Sequence, residues 1–179
     1  KDPTLAVGGI VKSFNTNAVS GKGDIILVEA DEYDKSFLSL FPTISVVNNI
    51  ELEHLDCYEG IEDLKESFKS FVNNIPFYGF AVINTDDNNV NSIINNIKRP
   101  LISYGINGKA DYRAKNISFN KNNSNFDLYV KNKKIDTIYM NIPGLHNVYN
   151  ALCAIGLCRE LGIDIEIIKN ALINFKGVK

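Results

Sequence analysis

The chain has 179 residues, 45% of them hydrophobic, and a formal net charge of −2. Those values suit one well-cored globular domain and exclude a chain drawn by bulk charge to nucleic acid or anionic membrane. No apolar run approaches the roughly 20 residues that cross a bilayer, and no signal peptide opens the sequence.

From the first residue, turn formers (Pro3, Gly8, Gly9) surround a short apolar piece, Leu5 to Val11, read as a strand or turn. Asn15 to Gly23, rich in Asn, Ser and Gly, reads as a loop. Such a loop contacts ligands or merely connects elements, and composition alone does not choose. The apolar run Ile25-Ile26-Leu27-Val28 then predicts a buried parallel strand. It ends in Glu29-Ala30-Asp31-Glu32-Tyr33-Asp34, four carboxylates within six residues. Strand ends of α/β sheets face the ligand crevice, so Glu29 is a candidate to point into it. Like charges at that density must diverge or share a cation, and a solvated acidic loop is the plain alternative. Ser36 to Leu40 predicts a helical turn before Pro42.

A second strand, Ile44 to Ile50, runs into Glu51-Leu52-Glu53-His54-Leu55-Asp56. A lone histidine is more often a surface residue than a ligand. His54, however, follows a strand end, and Glu29 follows the strand before it. If the two strands neighbour each other, one carboxylate and one imidazole come close enough to share a divalent ion with phosphates and water.

Gly60 to Ile75 carries Ile61, Leu64, Phe68, Phe71, Val72 and Ile75 at helical spacing, an amphipathic helix. Gly79 to Asn84, with Phe80, Ala81, Val82 and Ile83, predicts a third buried strand ended by Thr85-Asp86-Asp87. Val90 to Ile97 reads as a short helix, and Leu101 to Tyr104 as a fourth strand. Alternating strand and helix argue for a mostly parallel sheet flanked by helices, an α/β fold. The pattern changes at Asp111: Tyr112–Phe119, 126–130 and 135–142 alternate polar and apolar residues between Asn- and Lys-rich turns, as a small antiparallel three-strand sheet does.

Pro143-Gly144-Leu145-His146-Asn147-Val148-Tyr149-Asn150 opens the last helical pair, broken at Gly162 and capped again at Asp164. Free N–H groups and a positive dipole end suit this first turn to a nucleotide, and Asn amides can pair with an adenine edge. Simple N-capping by one Asn would explain one residue of that group. Of the three cysteines, Cys153 and Cys158 fall in the apolar helix pattern, and none has metal or redox spacing. Reduced packing thiols and a cytoplasmic setting follow.

Four motifs in order, Val28-Glu29-Ala30-Asp31-Glu32-Tyr33-Asp34, Asn49-Ile50-Glu51-Leu52-Glu53-His54-Leu55-Asp56, Ile83-Asn84-Thr85-Asp86-Asp87 and Gly144-Leu145-His146-Asn147-Val148-Tyr149-Asn150, give the chain a resemblance to the central domain of the Mur ligases. These are ATP-dependent amide-bond ligases of the peptidoglycan stem peptide. The likeness covers nearly all of residues 1–179 as a single domain and is strongest to the branch that adds L-alanine to UDP-N-acetylmuramate. It implies a P-loop-type ATPase fold, with Glu29 and His54 as magnesium ligands and His146, Asn147 and Asn150 around adenine. Asn17, Gly21 and Asn49 would border the UDP-sugar. ATP would phosphorylate the muramoyl carboxylate, and the amine of L-alanine would then attack the acyl phosphate. A murein peptide ligase of the same family, or a nucleotide-binding module without catalysis, is the alternative. No Gly-rich phosphate loop occurs in the chain, and in the family it lies upstream of Lys1, with the amino-acid domain beyond Lys179. Phe68 falls where several relatives carry a modified lysine, and the adjacent Lys69 points about 100° away on a helix.

Overall fold

The computed structural model describes residues 1–52 and 56–177. Its strands are β1 (Thr4–Val11), β2 (Thr16–Val19), β3 (Ile26–Val28), β4 (Ile44–Val47), β5 (Phe80–Asn84), β6 (Leu101–Gly105), β7 (Tyr112–Phe119), β8 (Ser124–Val130) and β9 (Lys133–Met140). The α-helices are α1 (Ile61–Asn73), α2 (Asn88–Ile93), α3 (Leu145–Glu160) and α4 (Ile165–Asn174). A 3₁₀ segment spans Tyr33–Ser39, at the helical turn expected before Pro42, and another, Ile94–Asn96, follows α2.

Two sheets form, ordered β2-β1-β3 and β4-β5-β6-β7-β8-β9. In the larger, β4 through β7 pair in parallel, and β7-β8-β9 continue antiparallel. The antiparallel meander read from the sequence is therefore joined edge to edge with the parallel strands. The mixed α/β expectation holds.

The core follows from strand periodicity. In β5, Ala81 and Ile83 pack with Phe37, Leu64, Phe71, Val72 and Val90 on one face. Val82 points to the other, with Phe126, Leu128, Ile138, Leu152 and Ile155. Helices α1 and α2 thus cover one side, and α3 and α4 the other. Continuously apolar β5 is what a strand buried on both faces requires.

The helix ends are set locally. Asp87 caps α2 by accepting from the Val90 N–H at 2.8 Å, and Asp164 caps α4 by accepting from the Glu166 N–H at 2.8 Å. Gly162 breaks α3 at a φ of 73°, as expected of a C′ glycine.

Two local expectations are corrected. The Asn15–Gly23 segment is not all loop: Thr16–Val19 pairs with β1 as β2, where Thr and Val suit an extended backbone. The run ending at Val28 is parallel to β1 but not buried. Ile26, Leu27 and Val28 are all exposed; β3 is the edge of its sheet, and among the described residues no strand pairs with its second side.

Candidate functional site

The acidic stretch leaves β3 and spreads its carboxylates instead of stacking them. Glu29 turns back onto β1, where its Oε2 accepts from the Gly8 N–H at 2.5 Å. A Cβ at residue 8 would sit 3.2 Å from that oxygen, so glycine makes room for the contact. Asp31 accepts from the Tyr33 N–H at 2.9 Å. The Glu32 carbonyl accepts from the Tyr58 hydroxyl at 2.5 Å. Tyr58 is buried, and that burial, followed by the charges of Glu32 and Asp63, pushes its pKa up to about 12. Lys35 anchors the far end with both oxygens of Asp63 at 2.9 Å and lies 5.0 Å from the Tyr58 ring centre. The hydrogen bond from Lys35 holds the Asp63 carboxyl below its ordinary value.

Glu29 and Asn49 line one groove of about 590 Å³ between β3 and β4, together with Glu32 and Asn48. Asn48 accepts from the Tyr104 hydroxyl at 2.7 Å. Asn49 donates to Glu51 at 2.9 Å. The expected partner of Glu29, His54, lies outside the described residues. Among the described residues, Oε1 of Glu29 has no hydrogen bond and its side chain is exposed. An open carboxylate oxygen beside amide oxygens is a hard donor set. It fits magnesium, which takes one or two carboxylates and completes its shell with water and phosphate. No three His, Cys, Asp or Glu side chains cluster among the described residues.

The start of α3 is the second polar centre. Its N-cap is Gly144, with no side-chain cap. The Gly144 φ is +111°, and a Cβ there would lie 2.7 Å from His146 Cε1. Capping therefore does not account for Asn147 or Asn150. Asn147 donates to the Pro143 carbonyl at 2.6 Å, while His146 and Asn150 are exposed. Asn147 and Asn150 sit at one side of an apolar cavity of about 410 Å³ between α3, α4 and the end of β9, floored by Met140, Ala151 and Ile168.

Sequence reasoning missed the clip that holds this turn. Asp86 accepts from the N–H groups of Ile106 at 2.5 Å, Asn107 at 2.9 Å and Gly108 at 3.0 Å. It also accepts from the Tyr149 hydroxyl at 3.0 Å. Burial raises the Asp86 pKa, but the bonds from Asn107, Ile106, Gly108 and Tyr149 outweigh it, and the net shift is downward. The signal was the Thr85-Asp86-Asp87 strand end combined with the Gly105 and Gly108 pair, since a Cβ at residue 105 would lie 3.0 Å from Asp86. Tyr149 is thereby fixed one residue from Asn150.

The remaining predicted positions separate. Asn17 lies in β2 on the stretch facing residues 7–10 of β1, near the Gly8 that binds Glu29. Gly21 lies at the opposite end, donating to Thr4 at 3.2 Å. A Cβ there would stand 2.2 Å from the Asp2 carbonyl, so close backbone approach already demands glycine. Phe68 packs against Phe37 with ring centres 5.2 Å apart, and Lys69 pairs with Glu66 one turn back.

A largely parallel sheet covered by helices, with polar groups gathered at strand ends and at a helix start, defines an α/β domain of the kind that binds ligands along one edge. The chain belongs to the Mur ligase middle domain family, whose model matches residues 11–158. It is 48% identical over 178 residues to the UDP-N-acetylmuramate–L-alanine ligase of Hydrogenobaculum sp., covering 99% of this chain and 39% of that protein. To the ligase of the same name from Aquifex aeolicus it is 43% identical, again over 99% of this chain and 39% of the relative. Among solved structures, the UDP-N-acetylmuramate–alanine ligase of Thermotoga maritima matches with a TM-score of 0.85 at 26% identity, over 99% of this chain and 39% of that one. The UDP-N-acetylmuramate:L-alanyl-γ-D-glutamyl-meso-diaminopimelate ligase of Neisseria meningitides follows at 0.84 and 26% identity, over 99% of this chain and 59% of that one. The chain thus spans about 39% of the length of the curated relatives named here. No helix among the described residues is long and apolar enough to cross a membrane.

Proposed function

We propose that residues 1–179 are most of the central domain of a longer cytoplasmic ligase that joins L-alanine to UDP-N-acetylmuramate at the expense of ATP. The observation that carries this reading is the identity of 48% and 43% to ligases of that name over 99% of the chain. Structural likeness alone separates the two branches poorly, because TM-scores of 0.85 and 0.84 fall on an alanine ligase and a tripeptide ligase.

In this reading a muramoyl carboxylate oxygen takes the γ-phosphoryl group of ATP and ADP leaves. The amine of L-alanine then attacks the acyl carbon, phosphate departs, and the amine loses a proton. Magnesium held by Glu29 and His54 would neutralise charge on the phosphoryl oxygens. Glu29, steadied by the Gly8 N–H, presents its free oxygen at the groove. His146, Asn147 and Asn150 surround adenine, with the apolar wall of the adjoining cavity excluding water. Asn17, Gly21 and Asn49 border the UDP-sugar. For Gly21 that role would be exercised through its backbone, since its position is already set by packing on Asp2 and Pro3.

The test is phosphate release by the purified full-length protein. Release that requires both UDP-N-acetylmuramate and L-alanine is expected. Release with the intact L-alanyl-γ-D-glutamyl-diaminopimelate tripeptide but not with L-alanine would move the protein to the tripeptide branch, and release with neither would overturn ligase function.

A further inference from the structure

The Asp86 clip closes on a chemically labile dipeptide. Asn107-Gly108 is the single place in the 179 residues where glycine follows asparagine. In such a pair the Gly nitrogen can attack the Asn side-chain carbonyl carbon, because no side chain at the second residue hinders the approach. The new N–C bond closes a succinimide ring, and the side-chain amide leaves as ammonia, carrying the displaced N–H proton. Water then opens the ring at either carbonyl, giving aspartate or isoaspartate.

Both residues are exposed, and the Asn107 side-chain amide has no hydrogen-bond partner among the described residues. The attacked group is therefore free. The attacking nitrogen is held. The Gly108 N–H donates to Asp86 Oδ1 at 3.0 Å, while Ile106 and Asn107 donate to Oδ2 at 2.5 and 2.9 Å. Three successive N–H groups on one anion fix the peptide planes of this turn. Attack also requires the Gly108 nitrogen to lose its proton, and an amide anion 3.0 Å from a carboxylate oxygen is opposed by like charge. Asp86 is a poor base for that proton, since its hydrogen bonds hold its pKa below the ordinary carboxylate value. The loop is tied at its far end as well, where Asp111 accepts from the Ser103 N–H at 2.9 Å and from its hydroxyl at 2.6 Å.

We propose that Asn107 is a deamidation site held shut by Asp86, which keeps the Gly108 nitrogen protonated and in place. An isoaspartate would insert one methylene into the main chain between residues 107 and 108. Ile106 and Gly108 could then no longer both reach the carboxylate, and the loop would pull on the clip that Tyr149 shares. Damage at Asn107 would in this way reach the turn of α3 that carries Asn147 and Asn150. None of the groups assigned to magnesium, adenine or sugar takes part in the reaction, so its rate reads independently of the ligase function.

Peptide mapping by mass spectrometry of the purified full-length protein, aged in mildly alkaline buffer, tests it. A synthetic peptide of residues 104–111 is the unguarded reference. Native Asn107 should deamidate at least about 10-fold more slowly than the peptide, the factor that one bond to a charged acceptor supplies. Asp86→Asn places an amide donor opposite the Gly108 N–H and should bring the rate toward that of the peptide. Tyr149→Phe loosens the clip elsewhere but leaves the Gly108 bond, so its rate should stay slow. A native rate equal to the peptide's, an Asp86→Asn rate equal to the wild type's, or equal acceleration by both variants would overturn the proposal. Single-amide hydrogen exchange of the wild type reads the same guard without any substitution. The Gly108 N–H should exchange at least about 10-fold more slowly than in the peptide, and equal exchange would also overturn the proposal.

Discussion

Replacing Asp86 by Asn keeps the shape of the side chain and removes its charge, which isolates what the carboxylate contributes. In the native protein four donors converge on it, three backbone N–H groups and the Tyr149 hydroxyl, at 2.5 to 3.0 Å. With its amide oxygen in the place of Oδ2, Asn can still accept from Ile106, Asn107 and Tyr149, and the new NH₂ group replaces the Oδ1 that accepts from Gly108. One backbone N–H is left facing a donor, and the surviving bonds lose charge assistance. Bonds to charged groups contribute about 1.5–3 kcal/mol each, and partial solvation of this carboxylate places the sum at the low end. The net loss is about 2 kcal/mol, which for a chain of this size lowers Tm by roughly 4–8 °C. Because the folded pKa is depressed, the stabilisation is present above the unfolded carboxylate value of about 4 and is lost as pH falls through the lower folded value. Thermal melts of wild type and Asp86→Asn should therefore differ at pH 7 and converge toward pH 3. Equal Tm values at pH 7, or a gap that persists unchanged into acid, would refute the reasoning.

Asn150→Ala should leave Tm unchanged, since its side chain is exposed and α3 is capped by Gly144, and should raise the KM for ATP more than that for UDP-N-acetylmuramate in the full-length ligase; a lowered Tm with normal kinetics would make the residue structural. Glu29→Ala and His54→Ala should each lower turnover about 100-fold, close to 3 kcal/mol, with the double variant little worse than either single one; fully additive losses in a magnesium titration would separate the two residues. Cys153, whose pKa burial pushes up to about 12, should resist iodoacetamide in the native protein at pH 8 and react only after unfolding.

Much of the fold was legible because it is written in local periodicity. The 3.6-residue spacing of Leu64, Phe68, Phe71 and Val72 marked α1, and the alternation from Tyr112 onward marked the meander at its observed first residue. What misled was β3. Ile-Leu-Val describes what a strand is made to be buried by, not whether its neighbour is present, and the neighbour is a property of sheet order that no window of sequence contains. Strand β2 was missed for a related reason. Thr16–Val19 is four residues amid Asn, Ser and Gly, too short for a period to emerge, and it is fixed by pairing with β1.

The candidate site divides along the same line. Glu29 was legible as the residue just past a strand, whereas Asn49 came only through the family resemblance; both line one groove, although their strands belong to different sheets. The Asp86–Tyr149 clip was not legible, since its members are 63 residues apart and three of its four donors are backbone groups that carry no side-chain signature. Yet the clip decides where the start of α3 sits. Tyr149 projects from the same turn as Asn147 and Asn150, and its hydroxyl is tied to the carboxylate that gathers the loop after β6. A shift of that loop would therefore carry through Asp86 to the helix turn that holds both asparagines. Tyr149→Phe removes only this tie, so an effect of the substitution on ATP affinity would show that the clip positions the asparagines as well as stabilising the fold.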